Sequence, residues 1–232
     1  MWALDEGRLE RAFSVVERGV EGGAFAGAVA AVGCGDALVV RAFGHAALQP
    51  ARVPMRPDTL FDLASLTKVV GTTPAVLRLV EDGAFSLDAP VADLLPEFAD
   101  RRVTVRHLLT HTSGLPAWAP LYLDHRGLPA YLRAIGGMPL ERPPGERVVY
   151  SDLGFILLGA IVERVAGESL PDYCRKAVFA PLGMDATGWL PAAPRERIAA
   201  TEAGNRTEMD MAGARAAEFG HWRQEILWGE VN

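Results

Sequence analysis

Leu153 to Ala166 is apolar on almost every side of a helical wheel, interrupted only by Glu163 and Arg164 near its end. Such a helix has no face to give to water and must be enclosed by other elements. Like the other apolar-rich stretches, it is too short to span a membrane, which takes about 20 residues. The chain must therefore wrap a core around it. With 232 residues, half of them apolar, it has the material to do so.

The segments before it predict an α+β fold. Leu9, Phe13, Val16 and Val20 fall at helical spacing, and Gly22-Gly23 ends that helix. Residues 27–32 and 37–43 read as two strands joined by the turn Gly33-Cys34-Gly35-Asp36. Their apolar residues do not alternate cleanly, as expected of a hairpin covered on both faces. Residues 49–57 hold three prolines and read as a loop. A helix follows from Ser65 towards Gly83, with Leu66, Val69, Val70, Val76, Leu77 and Val80 as an apolar pattern that predicts burial. Val91, Leu94 and Leu95 form the apolar side of a short element, and Thr104 is placed to cap a short helix over 105–110. The aromatic stretch 118–127 reads as a lid or a surface loop. Gly167 ends the apolar helix, and Ser169 with Pro171 restarts one running to about Val178. Beyond Trp189 the pattern dissolves into short charged runs, with Trp222 and Trp228 lacking periodic support.

Several functional classes are excluded or disfavoured. A net charge of −6 argues against nucleic acid as a partner, since phosphate binding needs a basic face. Cys34 and Cys174 are too few for a disulfide framework and read as free thiols. The acidic N-terminus carries no secretory signal pattern, so a cytoplasmic protein without a membrane span is expected. Gly-x-Ser-x-Gly, Gly-x-Gly-x-x-Gly and Walker-type loops do not occur. His107 and His111 have the four-residue spacing of a zinc helix, but Leu108 stands where the glutamate would be and no third ligand is evident. Capping and supporting hydrogen bonds are the expected roles of the two histidines.

Two candidates for chemistry remain. In Ser65-Leu66-Thr67-Lys68 the serine and lysine lie three residues apart at a helix start, so both side chains emerge on one face. The ammonium and the helix dipole would stabilise a serine alkoxide. The plain alternative is a capping serine and a solvated lysine. Tyr150-x-Asp152 stands at the entry to the apolar helix. Tyr150 reads either as a packing residue with a wet hydroxyl or as a proton shuttle for Ser65 favoured by the Lys68 cation. Asp152 reads as a cap.

Four segments in order resemble the serine β-lactamase-related family, which comprises class C β-lactamases, D,D-peptidases and esterases of the same fold. They are residues 61–68 (Phe-Asp-Leu-Ala-Ser-Leu-Thr-Lys), 103–116 (Val-Thr-Val-Arg-His-Leu-Leu-Thr-His-Thr-Ser-Gly-Leu-Pro), 143–152 (Pro-Pro-Gly-Glu-Arg-Val-Val-Tyr-Ser-Asp) and 181–187 (Pro-Leu-Gly-Met-Asp-Ala-Thr). The resemblance implies Ser65 as the acyl-forming nucleophile, Lys68 as its activator, and Tyr150 as general base and then general acid. Position 152, asparagine in many members, is Asp here and would hold Lys68 as an acceptor only. The substrate implied is a small ester, amide or β-lactam, with an esterase or amidase preferred to a cell-wall peptidase and no metal or organic cofactor. The alternative is an impaired or ligand-binding relative. The family's third motif, Lys-Thr-Gly or His-x-Gly on a strand that supplies an oxyanion donor, does not occur after Tyr150. The expected layout is a β-lactamase-related domain over 1–190, incomplete, with a sheet-side part at 1–57 and a mainly helical part at 58–190. An irregular tail at 191–232 leads towards strands and a closing helix that are expected to be missing. Self-association covering an exposed sheet is a further expectation.

Overall fold

A computed structural model describes residues 4–189, 193–201 and 205–218. Trp222, Trp228 and the end of the expected tail lie outside the described residues. Two compact units divide the chain.

The first unit is drawn from Met1–Asp62 with Pro191–Glu202. Helix α1 (Glu6–Glu21) begins where the Asp5 carboxylate accepts the Arg8 N–H at 2.8 Å. Its Phe13 is buried and meets Phe43, with ring centroids 6.0 Å apart. Strands β1 (Gly27–Cys34) and β2 (Ala37–Ala47) pair antiparallel from Gly27 opposite Gly44 to Cys34 opposite Ala37. The turn between them is Gly35-Asp36, where Gly35 has φ +58°, a conformation that glycine adopts without steric cost. The region expected to be a plain loop contains a third short strand, β3 (Val53–Pro54), paired to β2 past a bulge. Two residues with one proline carry too little pattern to be read as a strand from sequence. The chain returns to this unit at residues 197–200. There Leu60 donates to the Arg197 carbonyl and accepts from Ala199, and Ala200 donates to the Ala46 carbonyl.

The second unit is drawn from Leu63–Leu190 with Ala203–Asn232. It is helical: α2 (Thr73–Glu81), α3 (Val91–Leu94), α4 (Val105–Leu109), α5 (Leu128–Gly136), α6 (Asp152–Ala166), α7 (Leu170–Cys174) and α8 (Arg206–Ala212). The apolar stretch from Leu153 to Ala166 lies in α6, and nine of its residues from Leu153 to Val162 are buried. Val76, Leu79, Leu108, Leu132, Ile135 and Tyr173 belong to the same core. Full burial of a leucine stabilises by about 1.5–3 kcal/mol, so this helix is the unit's main anchor. Ser151 caps its start by accepting the Gly154 N–H, and Gly167, with φ +70°, ends it. Asp152 is therefore the first helical residue rather than the cap, which leaves its carboxylate free for another partner.

The helix after Ser65 differs from expectation. Leu66, Val69 and Leu77 are 57%, 61% and 45% exposed, while Val76 and Leu79 are buried. Among the described residues this helix is thus covered along one side only. Beyond Trp189, where periodicity fails, Asn205 accepts the Glu208 N–H and starts α8. No helix among the described residues is long and apolar enough to cross a membrane.

Candidate active site

All four candidate residues lie in the second unit, and the structure brings them together. The chain turns sharply before Ser65: Ala64 has φ +44°, uncommon for any residue but glycine. Three tight bonds follow, from Leu66 to the Leu63 carbonyl, Thr67 to Ala64 and Lys68 to Ser65. One widened turn comes next, in which Thr73 donates to the Lys68 carbonyl five residues back. Ser65 is left exposed at the end of this helix, while the Lys68 side chain is only 12% exposed. The Lys68 ammonium donates to Ser65 Oγ at 3.3 Å, as the three-residue spacing predicts.

The same ammonium lies 2.7 Å from Asp152 Oδ1. It also sits 5.1 Å from the centre of the Tyr150 ring and 5.7 Å from that of Phe155, within cation–π range. Burial alone would push the Lys68 pKa down. Hydrogen bonding to Asp152 and Tyr150, together with their charges, more than offsets it, and the net shift is upward. Lys68 is accordingly a held cation. That suits it to stabilise negative charge on Ser65 or Tyr150, not to accept a proton itself.

Tyr150 and Asp152 reach Lys68 because two loops are sewn together. The Glu141, Gly145 and Val149 N–H groups donate to the carbonyls of Gly114, Thr112 and His111. Ser151 donates through its N–H to His111 Nδ1 at 3.1 Å and through Oγ to the Pro116 carbonyl at 2.7 Å. Asp152 N–H donates to the Ala117 carbonyl at 2.9 Å. Gly114 has φ +83°, and a Cβ there would lie 2.1 Å from the Arg142 carbonyl oxygen, so only glycine fits. The segment 103–116 thus holds the segment 143–152 in place.

His107 and His111 serve different segments of the backbone. His107 takes part in a reciprocal cap with Thr104, and His111 faces the Tyr150 loop. Among the described residues no group of three His, Cys, Asp or Glu is placed to hold a metal ion. Cys174 is buried, and burial pushes its thiol up to about 12, so it is an inert packing residue.

A cavity of about 650 Å³ opens beside Ser65 and Lys68. Its walls include Trp118, Tyr122, Tyr131 and Ile156, together with Glu163 of α6 and Glu208 of α8. The aromatic stretch 118–127 left open by the sequence as lid or loop is therefore a cavity wall, with Leu121 and Tyr122 buried. Glu163 and Glu208 escaped the sequence reading, because neither lies near Ser65 or Tyr150 in the chain.

Ser65 thus lies beside a lysine that is shared with Asp152, the first residue of α6, and with the ring of Tyr150 just before that helix. The Beta-lactamase family profile matches residues 13–221, and the chain belongs to that family. It is 43% identical over 196 residues to "Esterase EstB" of Burkholderia gladioli, a match covering 75% of this chain and 49% of the relative. It is 33% identical over 195 residues to a "Putative D-alanyl-D-alanine carboxypeptidase" of Escherichia coli K12, covering 75% and 43%. A solved structure described as a class C beta lactamase superposes with a TM-score of 0.76 at 27% identity, covering 89% of this chain and 58% of that one. The fold is of the β-lactamase/transpeptidase type, and the chain spans about half the length of the curated relatives it matches.

Proposed function

We propose that the chain carries the acyl-transfer centre of a serine hydrolase, with Ser65 as nucleophile and a carboxylic ester or amide as substrate. The observation that carries this reading is the Lys68 ammonium, within 3.3 Å of Ser65 Oγ and 2.7 Å of Asp152, with the Tyr150 ring against it. Tyr150, reacting as its phenolate beside the Lys68 cation, takes the proton of Ser65 Oγ and becomes the neutral phenol as that oxygen bonds to the acyl carbon. The tetrahedral oxyanion collapses, the bond to the leaving oxygen or nitrogen breaks, and Tyr150 returns the proton to the leaving group. Water then attacks the acyl-Ser65 ester with Tyr150 again as base, releasing the acid. Lys68 stays protonated throughout, and Asp152 holds it in place. The Ser65 N–H, at the start of the helix, is one oxyanion donor.

The cavity supports an acyl group of apolar or aromatic character, since its walls carry Trp118, Tyr122, Tyr131 and Ile156. Glu163 and Glu208 in the same wall disfavour a substrate that places a carboxylate there. An esterase or amidase reading follows in preference to one on a peptide carboxylate, and the similarity to EstB agrees in kind.

Hydrolysis of p-nitrophenyl butyrate, measured for the wild type and for Ser65→Ala, tests this reading. Steady turnover lost in the variant supports the hydrolase, and equal rates in both proteins defeat it.

A further inference from the structure

We propose that His111 is the positioning residue for Tyr150, fixing the phenol through the backbone on both sides of it and through its ring. The inference rests on the reading of Tyr150 as general base. The two neighbours of Tyr150 both donate to this one residue: Val149 N–H to the His111 carbonyl at 2.8 Å, and Ser151 N–H to His111 Nδ1 at 3.1 Å. The imidazole also lies against the Tyr150 ring, with centroids 4.6 Å apart, and against Phe155 at 5.0 Å. Tyr150 is 49% exposed and so has little packing of its own to hold it.

The backbone at residue 111 makes a merely structural role a poor account. His111 has φ +56° just after α4, a place where glycine or asparagine fits with less strain. A histidine there keeps a strained backbone and uses both its ring and one nitrogen. For Nδ1 to accept from Ser151, the ring proton must sit on Nε2. Burial and then the Lys68 charge push His111 towards its neutral form, against the opposing pull of Asp152, so the accepting lone pair is retained. Protonation would set an N–H against the Ser151 N–H and release the loop. Among the described residues, Lys68, Asp152 and Tyr150 are the ionisable groups that face the ring.

Three replacements separate the parts of this arrangement. His111→Asn places an amide oxygen where Nδ1 was and tolerates the backbone. His111→Phe keeps a ring and removes the acceptor, and His111→Ala removes both. The readouts are kcat and KM for p-nitrophenyl butyrate across pH, thermal unfolding, and hydrogen exchange at the Ser151 amide. The expected result is a fall in kcat of about 10- to 100-fold for His111→Phe and His111→Ala, with KM little changed, since small misplacement of a reacting group has effects of that size. His111→Asn should recover most of kcat, should lose the acid limb of the wild-type kcat profile that belongs to the imidazole, and should keep the Ser151 amide protected. Wild-type kcat in a folded His111→Phe, or no better kcat in His111→Asn than in His111→Ala, would overturn the proposal. If Ser65→Ala reacts as fast as wild type, the serine reading itself has failed. The Ser151 amide then decides the positioning alone: protected in wild type and His111→Asn but open in His111→Phe upholds it, and open in wild type overturns it.

Discussion

The two helices that carry the halves of the site are built on different terms. Helix α6, with Asp152 at its first position and Tyr150 just before it, is enclosed on nearly every side, and the loops at its start are joined by six hydrogen bonds. The helix after Ser65 buries Val76 and Leu79 but leaves Leu66, Val69 and Leu77 in the open. One half is thus held by core packing and a long-range seam. The Ser65 half is held by one packed side, a strained turn at Ala64 and the Lys68–Asp152 pair. The ion pair is therefore more than an electrostatic detail, because it ties the less enclosed half of the site to the more enclosed one.

The largest expected difference between the halves is in stability. Leu157→Ala or Leu158→Ala, both fully buried in α6, should destabilise the chain by about 2–5 kcal/mol in urea unfolding. A cost below 1 kcal/mol would mean that α6 is not the anchor described here. Gly114→Ala attacks the seam. With φ +83° and a backbone oxygen in the way of any Cβ, it should cost at least about 1–3 kcal/mol and lower ester turnover as the Tyr150 loop shifts. Unchanged turnover in that variant would detach the seam from the chemistry.

A smaller effect is expected from the ion pair. Asp152→Asn removes the charge that helps raise the Lys68 pKa, so Lys68 should lose its proton at lower pH and the alkaline limb of the acylation rate should move acidward. The stability from this raised pKa is present in full below the unfolded value near 10.5 and is lost as pH climbs through the higher folded value. An alkaline limb that does not move would show that Asp152 does not govern Lys68. His111 has the opposite sign. Its folded pKa lies below the model-compound value of 6.5, so the unfolded state binds the proton first and stability should decline as pH falls below 6.5. The smallest effect should come from the open face. Leu77→Ser or Val69→Ser should stay within about 0.5 kcal/mol of wild type, and a loss of several times that would mean something covers this face.

Much of the fold could be read from local pattern. Helix α1, the β1–β2 hairpin and α6 each carry a period or a turn that depends on neighbours in sequence. Ser65 and Lys68 could be paired for the same reason, since three residues on a helix fix their relative direction. What escaped was non-local or low in pattern. The widened turn at Lys68 leaves the apolar spacing almost unchanged, so the burial expected for Leu66, Val69 and Leu77 followed from a regular helix and failed. The two-residue β3 and the charged α8 lack apolar periodicity. The seam between residues 111–117 and 141–152 joins backbone groups some 30 to 40 residues apart in sequence. No spacing rule reveals such bonds, although capping and supporting hydrogen bonds are the roles the sequence predicts for His107 and His111.

Acylation of Ser65 beside a Lys68 cation is the step on which the proposed chemistry stands. The most direct test is the intact mass of the chain after brief exposure to p-nitrophenyl butyrate and, separately, to a penicillin, followed by peptide mapping. A single acyl adduct from the ester is expected on the peptide containing Ser65, absent in Ser65→Ala and slower to form in Lys68→Met. An adduct on another residue, or one that persists in Ser65→Ala, would contradict it.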